Sequence, residues 1–206
     1  MKAGIEASFD VDFKTDYGTP LLAISVGQKN YEMCELFLKK GARPNATDVN
    51  RETALMWAAE RNNLKICKLL VAHGASVRQT SRIGQTALIM AARTKNYELI
   101  KFLLSKGSNV NKQDEDGDSI LHLVIPCSNQ LVQLLIDHGA DIDAVNNDDY
   151  TPLMNACRKS NLGNASTLAQ AGAEFEVGSR SAWSYCNQQV TDHLERNGYS
   201  RPYWTY

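Results

Sequence analysis

Five Gly-small pairs recur along the chain: Gly41-Ala42, Gly74-Ala75, Gly107-Ser108, Gly139-Ala140 and Gly172-Ala173. A second comb runs in register with it: Thr19, Thr53, Thr86, Ser119 and Thr151, each followed two residues later by Leu. Two combs with a step near 33 residues mean one supersecondary unit copied five times. In such an array each unit buries its apolar face against its neighbours, and function is read from the surface of the stack.

The unit itself is legible. Thr19-Pro20 and Thr151-Pro152 predict helix starts, with Thr as N-cap and Pro at the first helical position. A short apolar helix follows, as in LMWAAE (55–60) and LIMAAR (88–93). A polar break (Arg61-Asn62-Asn63; Thr94-Lys95-Asn96) leads into a second, amphipathic helix. In the third copy Leu99, Ile100, Leu103 and Leu104 form its apolar stripe. Gly74 or Gly107 ends that helix, and a polar loop returns the chain to the next Thr. The copies are uneven. Pro126 is expected to cut the fourth copy's first helix short, because it has no N–H to donate. The fifth copy's second helix, with only Leu162, Ala165 and Leu168 on its stripe, is expected to be the loosest.

The pattern T-[PA]-L-x-x-A, then a second helix, then L-L-x-x-G-A-x-[VI], resembles ankyrin repeats. ETALMWAA (52–59), GQTALIMAA (84–92), DSILHLV (118–124) and YTPLMNA (150–156) carry the resemblance, which spans about residues 15–178. It implies an all-α ankyrin-repeat solenoid of helix-turn-helix units with β-hairpin loops. The expected division is an N-terminal cap or partial repeat (1–14) and repeats at 15–47, 48–80, 81–113, 114–145 and 146–178. A capping helix (179–198) and an aromatic tail (199–206) follow, the tail folding back on the cap. Trp183, Cys186, Val190 and Leu194 are expected to share one face of the cap helix.

A formal charge of −1 and the lack of a basic stripe argue against direct nucleic-acid binding. No apolar run approaches the ~18 residues of a membrane span. The N-terminus lacks the apolar core of a secretion signal. Five cysteines, with no CxxC or HxxxH spacing, read as reduced, mostly buried thiols in an intracellular protein, cytoplasmic or nuclear. Cys34 and Cys67 sit one repeat apart, too far for a disulfide. Cys127 reads as a loop thiol.

Nothing in the spacing points to catalysis or to a cofactor. The resemblance implies that His122 bonds back to its helix start, as a structural group. His73 and His138, each before a Gly, cap the C-termini of second helices. The resemblance implies a non-catalytic scaffold, monomeric by itself, that binds a protein or peptide on the first helices and loop tips. On the first helices the variable positions are Trp57, Met90, Leu123 and Asn155. Trp57 and Met90 read either as a groove anchor or as core between helices. Beside them lie Glu60, Arg61, Arg93, Arg158 and Lys159, a mostly basic row. The loop tips contribute Asn50, Glu52, Arg82, Gln85, Asp116, Asp118 and Tyr150. Asn111 matches the asparagine that ankyrin repeats can carry hydroxylated. Separately, SAWSYCNQQVTDHL (181–194) partly resembles the elongin-recognising box of some ubiquitin-ligase adaptors. Its expected apolar, Cys and aliphatic residues would be Ala182, Cys186 and Val190. Ala182 is small where Leu is usual.

Overall fold

The computed structural model describes residues 10–125 and 128–201. Ten helices come in five pairs: α1 (Leu21–Gly27) with α2 (Tyr31–Lys39), α3 (Ala54–Glu60) with α4 (Leu64–Ala72), and α5 (Ala87–Thr94) with α6 (Tyr97–Ser105). Then come α7 (Ile120–Val124) with α8 (Asn129–Asp137), and α9 (Pro152–Arg158) with α10 (Leu162–Gln170). The first helices stack in one row, α1 on α3 on α5 on α7 on α9. Behind them α2 packs on α4, and α8 on α10. One apolar core runs through the stack from Leu22 to Leu194.

Local chemistry sets the helix limits. The side chains of Thr53, Thr86 and Thr151 accept from the N–H three residues on, as expected. Thr19 does not act this way. Pro20 is bridged to Lys14 in extended conformation, and α1 starts at Leu21 without a side-chain cap. Each second helix ends in the same motif. The Ala42 N–H reaches the Phe37 carbonyl and the Gly41 N–H the Leu38 carbonyl. The equivalent bonds recur at Ala75, Ser108, Ala140 and Ala173, which accounts for the Gly-small comb. His73 and His138 also bond helix-end carbonyls, of Leu69 at 3.0 Å and Leu134 at 2.8 Å.

Two side-chain ladders tie repeat to repeat. In the first, Asp12, Asn45, Asn111 and Asp143 each accept from a backbone N–H of the following repeat: Arg43, Ser76, Asp141 and Glu174. Asn45 and Asn111 also donate to the Gly74 and Gly139 carbonyls. Asp12 takes this role ahead of the first helix pair; residues 1–9 of the expected N-terminal cap or partial repeat lie outside the described ones. The second ladder shapes the turns between repeats. Asp48, Asp114 and Asn146 each accept two N–H groups within their own loop, and Ser81 accepts one.

The cap differs from the single helix expected over 179–198. A two-residue hairpin pairs β1 (Glu176–Val177) with β2 (Arg180–Ser181). A 3-10 turn follows (Ala182–Tyr185), and then α11 (Gln188–Arg196). The break has a local cause: Cys186 is extended, and the Asn187 side chain caps α11 by accepting from Val190 N–H. The 3-10 turn packs on α9 and α11 on α10. The tail folds back as far as it is described, with the Tyr199 ring 5.6 Å from that of Phe175. Residues 202–206 lie outside the described ones.

The cysteine expectation holds in part. Cys34 and Cys67 are free and buried, and burial pushes the Cys67 thiol up to about 12. Cys157 and Cys186, by contrast, are joined in a disulfide between α9 and the cap. Spacing alone did not reveal that pair, because the hairpin and 3-10 turn bring residue 186 back over α9. Cys127 and Pro126 lie outside the described residues. α7 is nevertheless only five residues long and ends ahead of that proline.

Candidate interaction surface

The exposed side of the first-helix row, with the loop tips beside it, is where the sequence placed the binding residues. At its centre is Trp57, half-buried on α3. Its indole N–H donates to Glu52 Oε2 at 3.0 Å, and the Arg61 guanidinium lies 4.8 Å from its ring centroid. The ring lies against Gly27 of the preceding repeat, where an added Cβ would come within 3.3 Å. Gly27 holds the position that Glu60, Arg93 and Arg158 hold in other repeats, so its missing side chain makes the room. Burial and the nearby Asp48 raise the Glu52 carboxyl above its ordinary range, against the Trp57 hydrogen bond. Trp57 is thus held in one pose by three neighbours.

Met90 is placed differently. It is only 6% exposed and belongs to the core, so the structure brings Trp57 out and leaves Met90 in. Gln85, 5% exposed, is also buried, as is Asn155. Leu123 is half-buried. The basic row is present but partly neutralised. Arg93 pairs with the buried Asp114 at 3.1 Å and Arg61 with exposed Glu60 at 2.9 Å. Arg158 donates to Asn155 and lies 4.8 Å from the Tyr150 ring centroid. Arg180, from the cap, approaches the same ring at 5.0 Å and pairs with Asp149. Tyr150 and Arg158 therefore join the cap through Arg180 and Tyr185.

The loop tips divide by chemistry along the stack. Asn50 and Arg82 are exposed and linked, the Arg82 N–H bonding the Asn50 carbonyl at 2.7 Å. Asp116 is exposed and bonded the same way by the Asn147 N–H. Asp118 accepts from Asn146. The sequence reading missed the apolar tips of the first three repeats: Tyr17 is 83% exposed, Val49 60% and Ile83 48%. They fall in the same registers as acidic and amide residues of repeats four and five, and that contrast was the available signal.

His122 fills the structural role expected of it. Its Nδ1 lies 2.8 Å from Ser119 Oγ and accepts from the Ser119 N–H. Nε2 meets the Tyr150 carbonyl at 2.8 Å, so Nε2 carries the proton. Desolvation lowers its pKa below the ordinary value of 6.5. Among the described residues no cluster of His, Cys, Asp or Glu is placed to hold a metal ion. No described helix is long and apolar enough to cross a membrane.

Comparison with known proteins gives a consistent result. The sequence description of ankyrin repeats (three copies) matches residues 21–114 and 88–179. Among solved structures, the ankyrin repeat domain of Bcl-3, described as a unique member of the IkappaB protein family, superposes with a TM-score of 0.80. It is 24% identical, and the match covers 90% of this chain and 86% of that one. A search of curated proteins found no match. On its repeat pattern, its paired-helix stack and the matched residues, the chain belongs to the ankyrin repeat family.

Proposed function

We propose that the protein is a non-catalytic scaffold that binds a protein or peptide across its first-helix face, with Trp57 as the anchor. Ankyrin repeats are generally protein-interaction scaffolds. The observation that carries the reading is the immobilised Trp57. A half-exposed indole fixed by Glu52, Arg61 and Gly27 loses little freedom on binding. Around it Arg93 and Arg158 supply exposed donors and Arg61 a half-buried one, while Glu60 at the end of α3 and Asn50, Arg82, Asp116, Asp118 and Tyr150 at the tips set charge and register. Met90 and Gln85 support this surface from beneath. The reading assigns the protein to an intracellular setting, as a monomer by itself, with neither nucleic acid nor membrane as direct partner.

The adaptor alternative has weaker support. Ala182 and Val190 are fully buried, and the chain leaves helical conformation at Cys186. The three residues of the resembled box do not share one exposed helical face.

The test is an affinity capture followed by a binding titration of each captured protein, comparing wild type with Trp57→Ala/Arg93→Glu and with Gln189→Glu/Arg196→Glu on α11. Circular dichroism checks that every variant folds. The scaffold reading expects the first variant to weaken binding about tenfold or more and the second to bind normally. A folded groove variant that keeps full affinity for every partner refutes the choice of surface. Capture of elongin-type subunits that depends on α11 replaces it with the adaptor.

A further inference from the structure

The first ladder has one defective rung. Positions 12, 45, 111 and 143 carry Asp or Asn, and each accepts an N–H from the next repeat. The corresponding residue between repeats two and three is Arg78. A guanidinium has no acceptor atom. Arg78 instead donates through Nε to the Gly107 carbonyl at 3.0 Å. The N–H that the missing acceptor would have taken is that of Asn109, and no described residue accepts from it.

Three more departures gather at the same rung. The small residue after Gly is Ala in four repeats and Ser108 here. The Ser108 hydroxyl is buried and has no hydrogen-bond partner among the described residues. Lys112 stands nearby, and neither it nor Arg78 is ion-paired among the described residues. These groups line a cleft of about 600 Å³, with Thr80 beside them and no carboxylate in its wall.

The geometry points to an oxyanion site at this junction, taking a phosphate group as the free ion or as a phosphomonoester. Two cations, a free backbone N–H and the Thr80 hydroxyl line one cleft, with the buried, unpartnered Ser108 hydroxyl in its wall, and every one of them can donate. An acceptor-only ligand of compact shape satisfies such a set, and charge-assisted bonds to Arg and Lys are its strongest contacts. A bound oxyanion would restore the acceptor that the Asp or Asn side chain provides at the other rungs, closing the junction between repeats two and three. The site shares no residue with the Trp57 surface, so it stands or falls separately from the scaffold reading.

The experiment is an amide NMR titration of the full chain with inorganic phosphate, and in parallel with O-phosphoserine. Sodium chloride at matched ionic strength is the control. The expected result is saturable shifts at the Asn109 and Ser108 amides with a midpoint of about millimolar or tighter. Arg78→Asn installs the side chain that positions 45 and 111 already carry, so it should fold. It and Lys112→Gln should each weaken binding about tenfold. If both ligands bind, the site takes a phosphomonoester; if only inorganic phosphate binds, it takes the free ion. Shifts that the chloride control reproduces, or binding unchanged in Arg78→Asn, overturn the proposal.

Discussion

Single residues join the repeats more than their apolar character suggests. Lys29, Asn62, Lys95 and Ser160 take left-handed φ between 54° and 59°, and the residue after each is Asn. Those asparagines (Asn30, Asn63, Asn96 and Asn161) cap the second helices by accepting the N–H three residues on. One left-handed residue and one cap therefore close each of these two- or three-residue links between the helices of a pair. His122 works at the same scale, tying the start of α7 to the carbonyl of Tyr150 in the next repeat. Its folded pKa is depressed, so the unfolded chain binds the proton more readily. Its contribution is complete above the unfolded value near 6.5 and is lost as pH falls below it. Urea midpoints taken between about pH 7.5 and pH 5 should therefore fall further for wild type than for His122→Gln. Glu52 and Asp143, whose carboxyls are raised, change stability in the opposite sense, but equally in both proteins. Parallel pH dependence in the two proteins would remove His122 from the account.

At the scale of elements, α10 compensates for a poor apolar stripe with amide chemistry. Ala165 and Leu168 are fully buried, but so is Asn164. The side-chain amides of Asn161 and Asn164 both donate to the Ile125 carbonyl, at the end of the shortened α7. That carbonyl is among those a helix end leaves without an intrahelical partner. The short α7 and the asparagines of α10 are thus two halves of one arrangement. Asn161→Ala removes a helix cap and one of these donors together. It should cost about 1–3 kcal/mol and raise amide exchange first in α10. Protection in α10 equal to that in α6 for both proteins would contradict the expectation that it is the loosest helix of the stack.

The whole molecule is a one-dimensional array whose last face needs a cover. The hairpin, 3-10 turn and α11 supply it, and the disulfide fastens it to α9 across 29 residues of chain. In the chain-entropy account a loop of that length contributes about 3–4 kcal/mol. Reductant should accordingly lower the melting temperature of wild type and leave Cys186→Ser unchanged; equal melting of the two under oxidising conditions would show that the pairing adds nothing. The period, the paired helices and the Gly-small stops were legible in the sequence, because each follows from bonds within one repeat that repetition displays five times. The structural histidine occurs once and was legible through the family resemblance. The burial of Met90, the Gly27 seat for Trp57, the Cys157–Cys186 pair and the broken cap helix were not legible. Each depends on how far one repeat turns against the next, or on a chain reversal with no periodic copy to announce it. The sequence by itself determined the unit and its stacking, since local hydrogen bonds and apolar spacing suffice for both. Tertiary structure alone decided which side of each first helix reaches solvent and which distant residues meet, because those depend on packing between units.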